Sequence, residues 1–412
     1  MSLRNVGHSE WLAQFNSHLT NERFASGTMK YYVPRVNEFL GFLQKQHIKL
    51  HLVQPAHVDR YLRVVHRRLC LRYGRSPVDW RRGYVSPIGT FLKLALGQWP
   101  PNQKAVTERE RVQLQLSERY VRWMIDVCGL APATVYERRK EASRFLSWLG
   151  TNRVRLASLK VEHVDSYLKE RAHGLRRSSI SAATGWLRIF LRWLHSISQT
   201  KRDLSTAVVG PSMYAFSSIP SALRSEDTKK ILAAARKDAT TKGIRDYAIL
   251  MLLSEYGMRA SEIVALRLDD IDWRKEVVRV HHAKTGATSY LPLMLEVGNA
   301  ILAYLRKGRP KTSFRQIFIR TRAPYRPFLR GGGLYDIVRK RLDDAGIIAP
   351  GRRGPHAFRH TRAVSMLRAR VPLKEIGDVL GHRSVTSTMM YLKLALDDLR
   401  AIALEIPPEV RA

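Results

Sequence analysis

An internal repeat runs through the N-terminal half of this chain. Two N-terminal stretches match at a constant offset of 106 residues: Thr28, Phe39, Leu40, Leu43, His57, Val58, Asp59, Tyr61 and Leu62 recur as Thr134, Phe145, Leu146, Leu149, His163, Val164, Asp165, Tyr167 and Leu168. The plainest match is HVDRYL against HVDSYL. Apolar positions in each copy fall at helical spacing, so each is expected to fold as a small bundle of about four or five helices. A last helix follows in both, around Phe91-Leu92 and Phe190-Leu191, at a shorter offset. The shared apolar residues read as core, the polar ones as a helix N-cap with Asp59 and Asp165 in solvent.

Helix breakers divide the rest. Gln98 to Asn102 interrupts the pattern between the copies, and Asp203 to Pro220, with Gly210-Pro211 and several serines, reads as a linker. The expected units are helical bundles at 1–100 and 108–203, a linker at 204–220 and a C-terminal domain at 221–412. In that domain Ser225-Glu226-Asp227 opens a helix with an N-cap and an acidic first turn, and Ile244 to Tyr256 forms another that ends at Gly257. Val277 to His281 and Ser289 to Leu293 alternate as strands around Lys284-Thr285-Gly286. Helical pattern resumes at Gly332, with breaks at Ala349 to Pro355 and at Gly381. The expected fold class is mainly α with a small antiparallel β-sheet, two helical N-terminal bundles preceding a mixed α/β domain.

Charge then points to a partner. The chain has 71 Lys+Arg against 35 Asp+Glu, a net +36, of which residues 1–210 carry +20. Positive charge on that scale, spread over the whole chain, repels itself in a compact state unless a polyanion shares it, and nucleic acid is the default polyanion. Arginines beside the repeated helices suit phosphate contacts: Arg67, Arg68 and Arg72 in the first copy, with Arg63, Arg75, Arg81 and Arg82 nearby, and Arg176, Arg177 and Arg188 in the second, with Arg171 and Arg192. Cys70 and Cys128 are too few for a disulfide framework or a zinc site and read as buried thiols in a reducing compartment. No metal and no other cofactor is expected. The start lacks an export pattern and no apolar run reaches spanning length, so the expected location is cytoplasmic, on the nucleoid, with no membrane partner.

The C-terminal domain holds a constellation suited to metal-free attack on a phosphodiester. Arg259 begins a helix with Glu262 three residues on, where the carboxylate can orient the guanidinium. His356 and Arg359 stand together at a helix start, His382 follows Gly381, and Tyr391 lies nine residues beyond His382. Lys284 sits at the hairpin tip. Two guanidiniums can clamp nonbridging oxygens as charge builds on phosphorus, and an ammonium can protonate a departing alkoxide. A phenol, with a free pKa of about 10, can serve as nucleophile where positive charge surrounds it and a histidine accepts its proton. A covalent ester conserves the bond energy for rejoining. Each residue alone has a plainer reading: a tyrosine among apolar residues is usually core, an H-x-x-R pair a solvated helix start, a hairpin lysine surface. Their joint occurrence favours chemistry. His281, His282 and His360 read as ordinary strand or helix residues, and Asp269, Asp270 and Asp272 as loop caps.

The stretches GMRASEIVALRLDDID, KTGATSYLPL, PHAFRHTRAV and LGHRSVTSTMMYLK resemble, in order, the boxes of the tyrosine recombinase or phage-integrase family. They spread over roughly residues 220 to 400, while the N-terminal copies resemble that family's core-binding domain only in helical pattern. The resemblance implies Arg259 and Arg359 as the phosphate clamp, Lys284 as general acid toward the 5′ oxygen and His356 as proton acceptor. It further implies His382 as a hydrogen-bond donor to the scissile phosphate, Glu262 as support and Tyr391 as the residue that forms a 3′-phosphotyrosine. Arg362 and Met389-Met390 depart modestly from the family pattern. A doubled core-binding domain departs more, and favours a mobile-element integrase or transposase over a chromosome-dimer resolvase. The partners implied are double-stranded DNA with paired inverted half-sites, bound by dimers that form a synaptic tetramer, with or without partner recombinases. A topoisomerase or telomere resolvase with the same linkage, a catalytically idle DNA-binding accessory protein and a metal-dependent transposase are the alternatives.

Overall fold

The computed structural model describes residues 7–75, 77–101, 107–213, 222–282, 286–348, 353–382, 386–389 and 391–392. The described residues are mainly helical with one small three-stranded antiparallel sheet, the class expected from the sequence. Two compact units result, one of residues 101–217 and one of residues 1–100 together with 218–412.

The first repeat copy folds as α1 (His8–Asn21), α2 (Ser26–Lys45), α3 (Pro55–Tyr73) and α4 (Trp80–Leu96), with a 3-10 turn at Leu50–Leu52. The second folds as α5 (Glu108–Arg122), α6 (Pro132–Thr151), α7 (Val161–Ala172) and α8 (Arg177–Ser196), with its 3-10 turn at Leu156–Ser158. Matching residues make matching contacts. Phe39 packs edge-on to Tyr61 with centroids 5.2 Å apart, and Phe145 to Tyr167 at 5.0 Å. Phe15 meets Phe91 at 5.6 Å, and Tyr120 meets Phe190 at 4.9 Å. Edge-to-face geometry aligns the positive ring edge with the negative face, a gain beyond burial alone. The repeated histidine caps its helix: Nδ1 of His57 accepts the Gln54 backbone N–H at 3.1 Å, and Nδ1 of His163 accepts that of Lys160 at 3.1 Å. Each satisfies an N–H that the start of a helix leaves without a backbone partner.

The copies differ in one buried charge. Glu141, its side chain 1% exposed, accepts from Tyr167 Oη at 2.7 Å and from Arg171 Nε at 3.0 Å. The equivalent position in the first copy is Arg35. Burial raises the Glu141 carboxyl, but the hydrogen bonds from Arg171 and Tyr167 outweigh it and hold the group below the usual range. Cys70 and Cys128 are not in a disulfide and are only partly buried, a correction to the expectation that both are buried.

In the C-terminal part, α9 (Ser225–Lys237) precedes α10 (Thr241–Tyr256), whose run Ala248 to Leu253 is buried on every side. A helix apolar all round belongs at the centre, and α10 is the axis of this core. Ser225 is the first helical residue rather than the expected cap, which is Arg224, while Glu226 and Asp227 do occupy the first turn. Beyond the short α11 (Ala260–Ala265) come β1 (Ile271–Asp272), β2 (Val277–His281) and β3 (Thr288–Pro292), paired in that order. Val278 pairs with Leu291 and Val280 with Ser289, so the strand period of two turns Val278, Val280 and Leu291 into the core. Next are α12 (Leu295–Ala303), α13 (Gly332–Asp344), α14 (Pro355–Arg368), α15 (Leu373–Leu380) and the short α16 (Thr386–Met389). Asp246 of α10, fully buried, accepts from Arg245 at 2.8 Å and from Arg341 of α13 at 2.9 Å, tying those helices together. Glu22, the C-cap of α1, pairs with Arg326 at 2.8 Å within the same unit. Among the described residues no helix is long and apolar enough to cross a membrane.

Candidate active site

Two helix ends build the site. Helix α10 stops at Gly257, whose φ of +61° is the left-handed cap that glycine adopts without strain. Helix α15 stops in the same way at Gly381, φ +62°. The last carbonyls of a helix have no partner within it and carry the negative end of its dipole, so they attract cations. Here the cations are two arginines. Arg359, on the first turn of α14, donates from Nη1 to Gly257 O at 2.9 Å and from Nη2 to Leu380 O at 2.5 Å. Arg259, at the N-cap of α11, donates from Nη2 to Gly381 O at 3.0 Å.

Glu262 fixes Arg259 from its other side. The carboxylate accepts the Arg259 backbone N–H at 2.7 Å and Nη1 at 2.7 Å, so one residue caps the helix and orients the guanidinium. Burial raises the Glu262 carboxyl, but the hydrogen bonds from His282 and Arg259 prevail and it lies below the ordinary range. Arg359 is 4% exposed, and burial, reinforced by the like charge of Arg259, lowers its pKa to about 10.

Tyr391 is 2% exposed and packs among Ala363, Met366, Ile376 and Leu380. Burial raises its phenol, while the Arg359 guanidinium opposes that rise by its charge and by a side-chain hydrogen bond. The His382 ring stacks on Tyr391, centroids 6.1 Å apart at 14°, and its Nδ1 bonds Thr388 Oγ1 at 2.8 Å. Burial, with Arg359 and Arg259 adding to it, lowers His382 to about 4, so its imidazole is neutral near pH 7. His356, on the first turn of α14, is exposed, and its ring lies 6.2 Å from that of His360.

Of the expected site residues, Arg259, Glu262, Arg359, His382 and Tyr391 thus come together, His356 lies one helical turn before His360, and Lys284 lies outside the described residues. Two histidines read from sequence as ordinary belong here as well. His282 is buried, with Nδ1 2.7 Å from Glu262 Oε1 and Nε2 2.9 Å from Ser289 Oγ. His360 sits 5.5 Å, centroid to centroid, from Tyr391. The available signal was position: His282 directly follows β2, two residues before Lys284, and His360 follows Arg359. Among the described residues no group of three or more His, Cys, Asp or Glu could hold a metal ion.

The arginines of the bundles divide. Arg67, Arg72, Arg176 and Arg177 are exposed. Arg68 pairs with Glu38 at 2.6 Å while remaining half-exposed. Arg188 is partly buried and donates to Val208 O at 2.7 Å, and Arg171 turns inward to Glu141. Those last two serve the fold of the second bundle.

Residues 221–397 match the phage integrase family. The chain is 55% identical over 189 residues to the putative integrase/recombinase y4gC of Sinorhizobium fredii, covering 46% of this chain and 97% of that one. It is 38% identical over 295 residues to the putative integrase/recombinase y4rA of the same organism, covering 71% of each. In fold it is similar to XerH site-specific recombinase bound to palindromic difH substrate, with TM-score 0.55 at 14% identity over 73% of this chain and 90% of that one. With a helical and mixed architecture of this class and these relatives, the chain belongs to the tyrosine recombinase (phage integrase) family, enzymes that cut and rejoin DNA.

Proposed function

We propose that this protein is the site-specific recombinase of a mobile element and that it cuts DNA through a 3′-phosphotyrosine at Tyr391, without metal or ATP. The observation that carries the reading is geometric: Arg359 and Arg259 donate to the carbonyls of Leu380 and Gly381, the residues just before His382, whose ring stacks on Tyr391, so the proposed nucleophile and two cations suited to a phosphate lie together. A guanidinium has five N–H donors, and the bonds of Arg359 to Gly257 and Leu380 use two of them. Further N–H groups can turn to a nonbridging oxygen.

In the step proposed, Tyr391 Oη attacks phosphorus as its proton passes to His356, and the P–O5′ bond breaks. Lys284 gives a proton to the departing 5′ oxygen. Arg259 and Arg359 bind the nonbridging oxygens and stabilise the charge that builds there. Neutral His382 donates one hydrogen bond to the same phosphate, and Glu262 holds Arg259 in place. Rejoining runs the sequence backward from a new 5′ hydroxyl.

The substrate in this reading is double-stranded DNA with inverted half-sites in the nucleoid, bound by a dimer and exchanged in a tetramer. Similarity to a recombinase bound to a palindromic site supports it. Arg67, Arg68, Arg72, Arg176 and Arg177 are proposed to contact phosphates; Arg188 is bound to Val208 and would act on the fold. The doubled helical bundle and the integrase/recombinase relatives support a mobile-element role. The test is a suicide substrate, a nicked duplex enriched from a random-sequence pool by binding to this protein. Wild type is expected to become covalently attached to it in EDTA and Tyr391→Phe is not; adduct formation that requires added metal contradicts the reading.

A further inference from the structure

We propose that His282 is a positioning residue for Arg259, acting through Glu262; the inference rests on the recombinase reading of the site. His282 is 2% exposed, and both ring nitrogens are engaged. A carboxylate oxygen only accepts, so the 2.7 Å contact with Glu262 Oε1 requires a proton on Nδ1. Arg259 Nη1 donates to that same Oε1 at 2.7 Å, while Oε2 takes the Arg259 backbone N–H. The Glu262 carboxylate is therefore held from two directions, and its rotation about the last side-chain bond would break the hold on the guanidinium. His282 blocks that rotation.

The ring is anchored in turn. Its Nε2 meets Ser289 Oγ at 2.9 Å on the neighbouring strand β3. Its backbone N–H donates to Ala287 O at 2.9 Å, and its carbonyl accepts from Gly286 N at 2.8 Å. These bonds fasten the described base of the β2–β3 hairpin to the carboxylate that orients Arg259. On the opposite side the ring lies against Gly381, where a Cβ would come within 2.4 Å of the His282 ring. Gly381 is also the residue whose carbonyl receives Arg259 Nη2. One imidazole thus touches both groups that define where Arg259 points. A buried histidine serving only to fill space would not need its two nitrogens matched to a carboxylate and a hydroxyl.

The test measures single-turnover adduct formation on the nicked duplex at saturating protein, with DNA affinity and unfolding midpoint measured alongside. His282→Ala is expected to slow adduct formation by about 10–100-fold at unchanged DNA affinity, the range seen when an orienting partner behind a functional ligand is removed. His282→Asn, whose side-chain amide can donate where Nδ1 does, is expected to recover most of the rate, and it keeps the test valid if the alanine variant unfolds. Combining His282→Ala with Glu262→Gln is expected to be no slower than Glu262→Gln alone, because both act on one guanidinium. The proposal is overturned if His282→Ala reacts at the wild-type rate, if asparagine restores nothing, or if the two losses multiply. No adduct from wild type would instead refute the recombinase reading of Tyr391, and this inference with it.

Discussion

Arg259 donates from Nη2 to the carbonyl oxygen of Gly381 at 3.0 Å, across 122 residues of chain. That bond joins the start of α11 to the turn that ends α15. Gly381 carries a φ of +62°, and a Cβ there would strike the His282 ring. The left-handed conformation alone costs an L-residue about 1–2 kcal/mol. Gly381→Ala is therefore expected to lower stability by at least that much in urea unfolding and to slow cleavage more than it weakens DNA binding.

Arg359 binds carbonyls at the ends of two helices, and a lysine there has one point of attachment in place of a planar fork. Arg359→Lys is expected to lose about 2–3 kcal/mol of stability, given about 1.5–3 kcal/mol for a hydrogen bond to a charged group. Its cleavage rate is expected to fall by about 100–1,000-fold, as when a donor to developing charge is removed. Chemical denaturation and single-turnover cleavage check the two parts separately.

His382 titrates at about 4 when folded, against an ordinary value of about 6.5. Between those values the unfolded chain binds more protons than the folded one, so stability rises with pH across the window. Its contribution is complete above about pH 6.5 and lost as pH falls toward 4. Unfolding free energy measured from pH 4 to 7 is expected to slope more steeply for wild type than for His382→Asn.

Glu141 has the opposite chemistry and the same direction. Its carboxyl is held low by Arg171 and Tyr167 against the cost of burial, so its stabilising effect is present above the ordinary carboxylate value and lost as pH falls through the folded one. Glu141→Gln leaves Arg171 without its counter-charge and is expected to cost the second bundle about 3 kcal/mol at pH 7, read by urea unfolding followed through the hydrogen exchange of the α6 and α7 backbone amides. A midpoint unchanged from wild type would show that the buried charge does not stabilise the bundle.

The parts of this fold that repeat locally were legible in the sequence. The 106-residue offset carries over to α2 and α6 residue for residue, and β2 and β3 begin and end within one residue of the alternation that marks them. Backbone breaks at Gly257 and Gly381 were equally plain, because glycine after a helical run has a local meaning. What a charged side chain points at has none. Arg188 and Arg171 look in sequence like Arg176 and Arg177, yet the first two turn inward to Val208 O and Glu141. His282 was missed for the same reason, since its partners Glu262 and Ser289 come from α11 and β3 and only tertiary packing brings them to one ring.

Everything proposed for this site requires that the phenol of Tyr391 make the covalent bond to DNA. Protease digestion of the trapped adduct, followed by mass spectrometry of the nucleotide-linked peptide, locates that bond. A single 3′-phosphoryl linkage on Tyr391 is expected, in EDTA and without nucleotide cofactors. A linkage on any other residue, or through a 5′ phosphate, would contradict it.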